Sequence, residues 1–203
     1  MIPALAVVAK MMMMPPMPVA PIQQFDLRAQ FAEHPMVQRM TREARFDDSM
    51  SEFLVRESEP LDVRLAVASP MALADATAAG DAFSKVAFRG ALLDKVKPGA
   101  ERRADLLALA AYLSAIRPAG ATAHSRALAE AARKRAPESL GVAMVAAMLR
   151  PTNATKQCEV ARLMLSPLRD LAIVTDVSDR TLFAYGEIAM QAEDMCRAQG
   201  GRR

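Results

Sequence analysis

The fold is decided by residues 91–116, which read ALLDKVKPGAERRADLLALAAYLSAI. Lys97-Pro98-Gly99 lies in the middle of this stretch, and proline and glycine within a helical pattern mark a turn. After the turn, apolar side chains recur with the spacing of one helix face, at Leu106, Leu109, Ala110, Leu113 and Ile116. The stretch therefore predicts two helices joined by a turn.

The same helix–turn–helix pattern occurs twice more. FLVRESEPLDVRLAVA surrounds Pro60, and LAEAARKRAPESLGVAMVAAML surrounds Pro137. The prolines at 60, 98 and 137 are 38 and 39 residues apart, and a further 39 residues lead to Asp176 in the segment TDVSD. Helical pairs repeated at a fixed period form stacked arrays, because one pair alone cannot bury its apolar face.

The periodicity predicts four helix pairs after two short helices at 25–34 and 35–46. The pairs are 48–58 with 61–78, 81–96 with 100–116, 121–135 with 138–149, and 154–173 with 178–198. The predicted fold is all-α, a right-handed stack of antiparallel hairpins that forms a short α-solenoid. The alternative is an irregular helical bundle whose loops contain proline.

Two of these segments differ in their patterning. Segment 140–149 is apolar on all sides, which predicts a helix covered by several neighbours. Segment 121–135 has an apolar face with Leu128 and Ala132 opposite a charged face. One buried and one half-exposed helix in each pair is what a layered solenoid needs.

Composition agrees with a helical fold. Of the 203 residues, 52% are hydrophobic, only 4% are aromatic and none is Trp, so the core consists mostly of Ala, Leu, Val and Met. Ala and Leu are strong helix formers. The formal net charge of +3 does not indicate the clustered positive charge that drives nucleic-acid binding, so we expect no nucleic-acid partner.

The first 23 residues, MIPALAVVAKMMMMPPMPVAPIQ, differ from the rest of the chain. Lys10 and five prolines argue against a transmembrane helix, which needs about 20 consecutive apolar residues. Two interpretations stay open: a flexible Met- and Pro-rich arm, or a targeting remnant in which 18–21 would be the cleavage region. Residues 24–203 are predicted to form a single α-helical domain.

Cys158 and Cys196 are the two cysteines of the chain. They lie about 18 and 20 residues from the turn at 176, and therefore at nearly the same height in an antiparallel hairpin. Both lie on apolar stripes, which predicts a disulfide, the alternative being two buried free thiols. A disulfide implies an oxidising compartment, so we expect an exported, periplasmic bacterial protein, with a cytoplasmic location as the alternative.

The third pair carries a family resemblance. A proline follows small residues where two helices would cross closely, the set being Ala129, Ala132, Pro137, Ala143, Ala146 and Ala147. This pattern resembles a tetratricopeptide-type repeat, although the Trp of that family is absent. The period exceeds that family's value of about 34 residues and lies between it and that of HEAT-like repeats. The chain is similar to α-helical repeat proteins, and the resemblance implies a protein-binding role.

Basic side chains cluster just before the repeat prolines. They are Arg56 before Pro60, Lys95 and Lys97 before Pro98, and Arg133, Lys134 and Arg135 before Pro137. In a stack these turns would line one edge and form a basic ridge, which predicts contact with an acidic protein. The alternative is local, because cations near helix C-termini complement the helix dipole by about 0.3–1 kcal/mol each.

The sequence offers no motif for catalysis or for a cofactor. His34 and His124 lie in separate helical regions without metal-ligand spacing. Glycine-rich phosphate-binding motifs and the GxSxG nucleophile motif are absent from the sequence. The carboxylate pairs Asp47-Asp48 and Glu57/Glu59 are expected to cap and solvate helix ends. We therefore predict no catalytic residue, metal or cofactor.

The function that these patterns favour is protein binding, as a scaffold, an adaptor or an inhibitor of the immunity-protein kind. Extended concave surfaces are what solenoids offer to partners. Two alternatives stay open: a structural subunit whose apolar arm inserts into a neighbour, and an enzyme or small-ligand carrier with a pocket between helices. Convergent buried polar groups would favour the last of these.

Overall fold

A computed structural model of the chain describes residues 27–43, 45–70, 75–99, 101–150 and 176–200. Within these ranges every regular element is helical, which confirms the all-α class. The α-helices are α1 Leu27–Gln30, α2 Pro35–Glu43, α3 Asp48–Val55, α4 Leu61–Ala68, α5 Ala76–Ala87, α6 Ala104–Ala115, α7 Ala123–Arg135, α8 Leu140–Met148 and α9 Asp179–Gly200. A short 3-10 helix, Leu93–Lys95, lies between α5 and α6.

Three sequence predictions fall wholly or partly outside the described residues. They are the predicted arm at 1–23, the predicted helix at 154–173 and the predicted disulfide partner Cys158. Cys196 lies in α9 and is half-buried. The Cys158–Cys196 disulfide and the stacking of hairpins therefore stay predictions.

Helices α4, α6 and α8 form the centre of the molecule. All eight residues of α4 are buried, as are residues 106–111 of α6 and 140–147 of α8. Helix α6 packs against both α4 and α8. The sequence predicted the complete burial of α8. It predicted only one buried stripe on α6, and the structure buries α6 more fully because α4, α5, α7 and α8 all pack against it.

The outer helices α3, α5 and α7 bury one face each. In α7 the buried positions are Ser125, Leu128, Ala129 and Ala132. In α5 they are Ala76, Ala79, Gly80, Phe83 and Ser84. Both sets follow the spacing of a single helix face, so the two-faced pattern predicted for 121–135 is confirmed.

The predicted boundaries between α4 and α5 were wrong by several residues. Helix α4 ends at Ala68 rather than 78, and Pro70, which lacks an N–H group, follows it. Helix α5 then begins at Ala76, because the Asp75 carboxylate accepts hydrogen bonds from the Thr77 and Ala78 N–H groups. The missed signal was an N-cap aspartate, which was readable in the sequence.

The predicted helix 81–96 also ends early. Arg89 and Gly90 adopt left-handed backbone conformations, with φ of 53° and 88°, just after the last residue of α5. Such residues commonly terminate helices. The long connection that follows changes the repeat: α4, α6 and α8 begin at 61, 104 and 140, which are 43 and 36 residues apart. The even spacing of the prolines is therefore not the spacing of the helices.

Candidate functional site

One end of the molecule gathers the first turns of the three central helices. Arg64 in α4 contacts Asp105 in α6, and Leu61 in α4 lies against Gly141 in α8. We call this region, made of residues 54–64, 97–106, 133–142 and 176–178, the turn end. Both the polar interior and five of the six predicted ridge cations lie here, the exception being Lys95.

A buried ion-pair network joins α3, α4 and α6 at the turn end. Arg64, whose side chain is 4% exposed, donates from Nη1 to Asp105 Oδ2 at 2.7 Å and to the Leu54 carbonyl at 3.3 Å. Arg103 donates from Nη2 to the same carboxylate oxygen at 2.6 Å and from Nη1 to the Val55 carbonyl at 3.0 Å. The two guanidinium groups therefore tie the end of α3 to the start of α6.

The charge state of Asp105 is set by two opposing effects. Burial alone would raise the pKa of this carboxyl group, but the hydrogen bonds and charges of Arg103 and Arg64 outweigh it and hold the pKa below its usual value. Asp105 is therefore an ionised, twice-paired group inside the fold. Its position makes it a structural group rather than a proton donor.

A second polar cluster joins the starts of α4, α8 and α9. The backbone carbonyl of Asp176 accepts from the Leu61 N–H group at 2.7 Å, and its carboxylate accepts from the Gly141 N–H group at 3.0 Å and from the Ser139 hydroxyl. In return, Asp62 Oδ2 accepts from the N–H group of Ser178 at 3.0 Å and from its hydroxyl at 2.6 Å. We call these residues the capping junction.

Three helix N-termini explain why two carboxylates can be buried together. Each N-terminus presents unpaired N–H groups and a partial positive charge, which Asp62 and Asp176 satisfy from within the fold. Not every carboxylate oxygen of the capping junction is satisfied, because within the described chain Asp62 Oδ1 has no hydrogen-bond partner. Burial, together with the nearby Asp62 charge, raises the pKa of Asp176, although the bonds from Ser139 and Gly141 lower it in part.

This raised pKa gives a prediction for Asp176→Asn. A carboxyl group whose pKa is raised by folding contributes its stability fully below the unfolded pKa of about 3.9 and loses it as the pH rises through the folded value. Asparagine removes the buried charge and still accepts from the Gly141 N–H group. We expect the variant to be more stable than the parent by about 1 kcal/mol at pH 7, with the difference shrinking towards pH 4.

Urea unfolding at several pH values measures this effect. Asp75→Asn is the matched control, because Asp75 caps α5 at the surface, where Asn and Asp cap about equally well. It should change stability little at any pH. An Asp176→Asn variant that is less stable at pH 7 would show that the helix dipoles favour the charged carboxylate more than burial disfavours it.

Five of the six predicted ridge cations lie at the turn end, but not all have free charges. Lys95 lies away from it, because the adjacent Asp94 pairs with Arg117, just past the last residue of α6. Arg56 follows the last residue of α3, and Lys95, Lys97 and Lys134 are exposed. Arg133 pairs with Glu130 on its own helix at 3.1 Å. Arg135 donates from Nη2 to the Pro98 carbonyl at 2.8 Å, which brings the end of α7 to the Lys97-Pro98 turn. Whether these side chains bind a partner stays a prediction.

Three clefts are open to solvent on the described surface. One of about 290 Å³ lies between α7 and α8 and is lined by Arg126, Glu130 and Arg150 over an apolar floor. One of about 500 Å³ lies along α1 and α2, and one of about 350 Å³ lies beside Phe88 and Arg102. Neither the ion-pair network nor the capping junction lines any of these three clefts.

The two histidines are found at helix starts. His34 precedes α2 and accepts from the Met36 N–H group through Nδ1 at 3.3 Å, and His124 in the first turn of α7 lies 3.3 Å from the Leu93 carbonyl. Across the described ranges, no three His, Cys, Asp or Glu side chains are grouped as a metal site would require. In the same part of the chain, no helix combines the length and apolarity needed to cross a bilayer.

Sequence reasoning missed both buried polar clusters. The signal was present in LDVRLAVA, where Asp62 and Arg64 interrupt an otherwise apolar helix. Charged residues are almost never fully buried unless they are paired, so their presence in such a run indicates distant partners. The sequence does not say which residues those partners are.

Comparisons with known proteins identify no relative of this chain. No protein-family model, no curated protein and no solved structure matches this chain.

Proposed function

We propose that the chain is a protein-binding helical module, acting as a scaffold, an adaptor or an inhibitor of the immunity-protein kind, through the basic ridge at the turn end. The observation that carries the proposal is the 2.8 Å bond from Arg135 to the Pro98 carbonyl. It holds Lys134 and Arg135 at the end of α7 against the turn that carries Lys97, and all three side chains are exposed. An acidic protein surface is the partner that such a ridge complements.

The alternation of burial supports a stack of hairpins as the frame for this ridge. In each of the pairs α3–α4, α5–α6 and α7–α8, the second helix is buried on most sides and the first is exposed on one face. In such a stack the turns between paired helices lie along one edge. The proposal includes the resemblance to helical repeats, the Cys158–Cys196 disulfide and an exported, periplasmic location.

An enzyme or small-ligand carrier is the second candidate. Buried carboxylates at the capping junction are the convergent polar groups that would favour it. Asp176 is bonded to two helix starts and Asp62 to the start of α9, and none of the three described clefts reaches them. Their geometry suits capping better than chemistry, so we favour the binding module.

Charge reversal tests the proposal. The ridge variant carries Lys95→Glu, Lys97→Glu and Lys134→Glu, and the matched control carries Arg42→Glu, Lys85→Glu and Arg126→Glu. All six positions are exposed, so both variants should fold. We expect a fluorescent poly-glutamate peptide at low salt to bind the parent and the control, and to lose at least about tenfold in affinity for the ridge variant.

A photo-crosslinker placed at Lys97 and, as a control, at Lys85 extends the test to natural partners. Proteins captured at Lys97 alone, and lost in the ridge variant, would support the proposal. Equal losses of peptide binding in both charge-reversed variants would contradict it, because the attraction would then be a property of net charge alone. Melting curves followed by circular dichroism confirm that both variants are folded.

A further inference from the structure

Helix α9 presents a continuous exposed face. Its 22 residues rise about 33 Å, and its exposed side chains recur with the period of a helix. They are Asp179, Arg180, Phe183, Glu187, Met190, Gln191, Asp194 and Arg197. Phe183 is 75% exposed and Met190 58%, and both are large apolar side chains. The opposite face, with buried Thr181 and Tyr185, packs on the core.

The pattern on this face is nearly symmetric about the midpoint between Gly186 and Glu187. Phe183 and Met190 lie at equal distances on either side of that point. Farther out, Arg180 lies on one side and Asp194 on the other, at nearly equal distances and with opposite charges. A helix face with this symmetry is complementary to a copy of itself that runs in the opposite direction.

We propose that α9 is a homodimer interface, in which two copies of α9 cross antiparallel at Gly186. Phe183 of each copy packs on Met190 of the other, and Arg180 of each copy pairs with Asp194 of the other. The twofold axis passes between Gly186 and Glu187, and the face is the same on both copies.

Charge complementarity is what selects a second copy as the occupant. Arg180 and Asp194 are 14 residues apart, about 21 Å along one helix, so they cannot pair within one α9. Among the described residues neither side chain has an ion-pair partner in its own chain. In the antiparallel dimer each falls within about one residue of its opposite charge. Asp179 of the partner also lies opposite Asp194, so the pairing with Arg180 must outweigh this like charge.

Gly186 and Glu187 lie at the twofold axis, where Gly186 favours the dimer and Glu187 weakens it. No atom lies within 4 Å of a Cβ built at Gly186, so the backbone on that side is open to the partner helix. On the other side of the axis, Glu187 of one copy lies near Glu187 of the other. These like charges weaken the dimer, so neutralising them should strengthen it.

Sedimentation equilibrium of the full chain tests the interface. We expect a reversible monomer–dimer equilibrium in the parent, with Phe183→Glu and Met190→Glu each raising the dissociation constant at least about tenfold. Glu187→Gln should lower it. All three side chains are exposed in the monomer, so melting curves should confirm that each variant folds.

A mixing experiment gives the sharpest test of the charge pairs. Arg180→Asp and Asp194→Arg should each weaken self-association, because each places like charges opposite one another. An equimolar mixture of the two variants should form a heterodimer, in which both charge pairs are restored. Rescue by mixing requires contact between copies, so a change within one chain cannot produce it.

Three results would overturn the proposal. One is a parent that stays monomeric at all concentrations. Another is a dimer whose dissociation constant is unaffected by Phe183→Glu. The third is a monomeric parent that binds anionic lipid vesicles and loses that binding in Phe183→Glu, which would assign the face to a membrane surface instead.

Discussion

Replacing Asp105 with alanine is expected to destabilise the fold by about 3–5 kcal/mol, the usual effect of removing one partner of a buried ion pair. Arg64 would keep its charge inside the protein with only the Leu54 carbonyl as an acceptor. Its Nε already has no hydrogen-bond partner within the described chain. Arg103 would lose one of its two carboxylate partners in the same step and keep only the exposed Glu57.

Removing Arg64 instead of Asp105 should destabilise the fold less. In Arg64→Met, Asp105 keeps the bond from Arg103 at 2.6 Å, and the unbranched methionine fills much of the space of the arginine stem. We expect a loss of about 1 kcal/mol or less. This asymmetry follows from the network, because the carboxylate has two cationic partners and the buried Arg64 has one.

Chemical denaturation of both variants measures the asymmetry. Asp94→Ala is the matched control, since Asp94 is 68% exposed and its partner Arg117 keeps Asp81, so the loss should be below about 1 kcal/mol. The pKa of Asp105 is lowered by folding, so its stabilisation is present above the unfolded pKa and is lost as the pH falls through the folded value. The alanine variant should lose that acid dependence. Equal effects in Asp105→Ala and Asp94→Ala would refute the network as described.

Replacing Gly141 with alanine is the second large effect that we expect, a loss of about 1–3 kcal/mol. A Cβ built at this position lies 2.8 Å from Leu61 Cδ2 and 3.2 Å from Asp176 Oδ2. Both neighbours belong to the capping junction, where α4 and α8 approach closely. The added methyl group therefore forces either the Leu61 side chain or the starts of the two helices to shift.

Gly186→Ala is the matched control for this prediction. Both glycines lie in helices, so helix propensity alone predicts a gain of about 0.8–1 kcal/mol in each case. At Gly186 no atom lies within 4 Å of the added Cβ, so the gain should appear. Urea unfolding at a protein concentration that keeps the chain monomeric compares the two. Equal gains at both positions would mean that α4 and α8 are not in close contact at Gly141.

Local signals in the sequence were sufficient for most helix ends. Asp47 accepts from the Met50 N–H group at 3.1 Å and caps α3, as the sequence predicted. Pro60 and Pro137 lie in the connections before α4 and α8, also as predicted. These features depend on residues a few positions apart, so the sequence contains all the information that they need.

The candidate site was only partly predictable. The ridge cations could be named because each precedes a proline, but the 2.8 Å bond from Arg135 to Pro98 joins two turns 37 residues apart. Arg103 was not predicted at all, although it ties the end of α3 to α6. Its role depends on which helix ends meet, and helix periodicity does not specify that.

The sequence by itself determined the helical class, the complete burial of α8 and the two faces of α7, because apolar spacing and propensity act within one helix. The tertiary structure alone decided the partners of the buried charges. Asp62 bonds to Ser178, 116 residues away, and Arg64 pairs with Asp105, 41 residues away. A buried charge requires a partner wherever it lies, but which partner it meets is fixed only when the central helices pack.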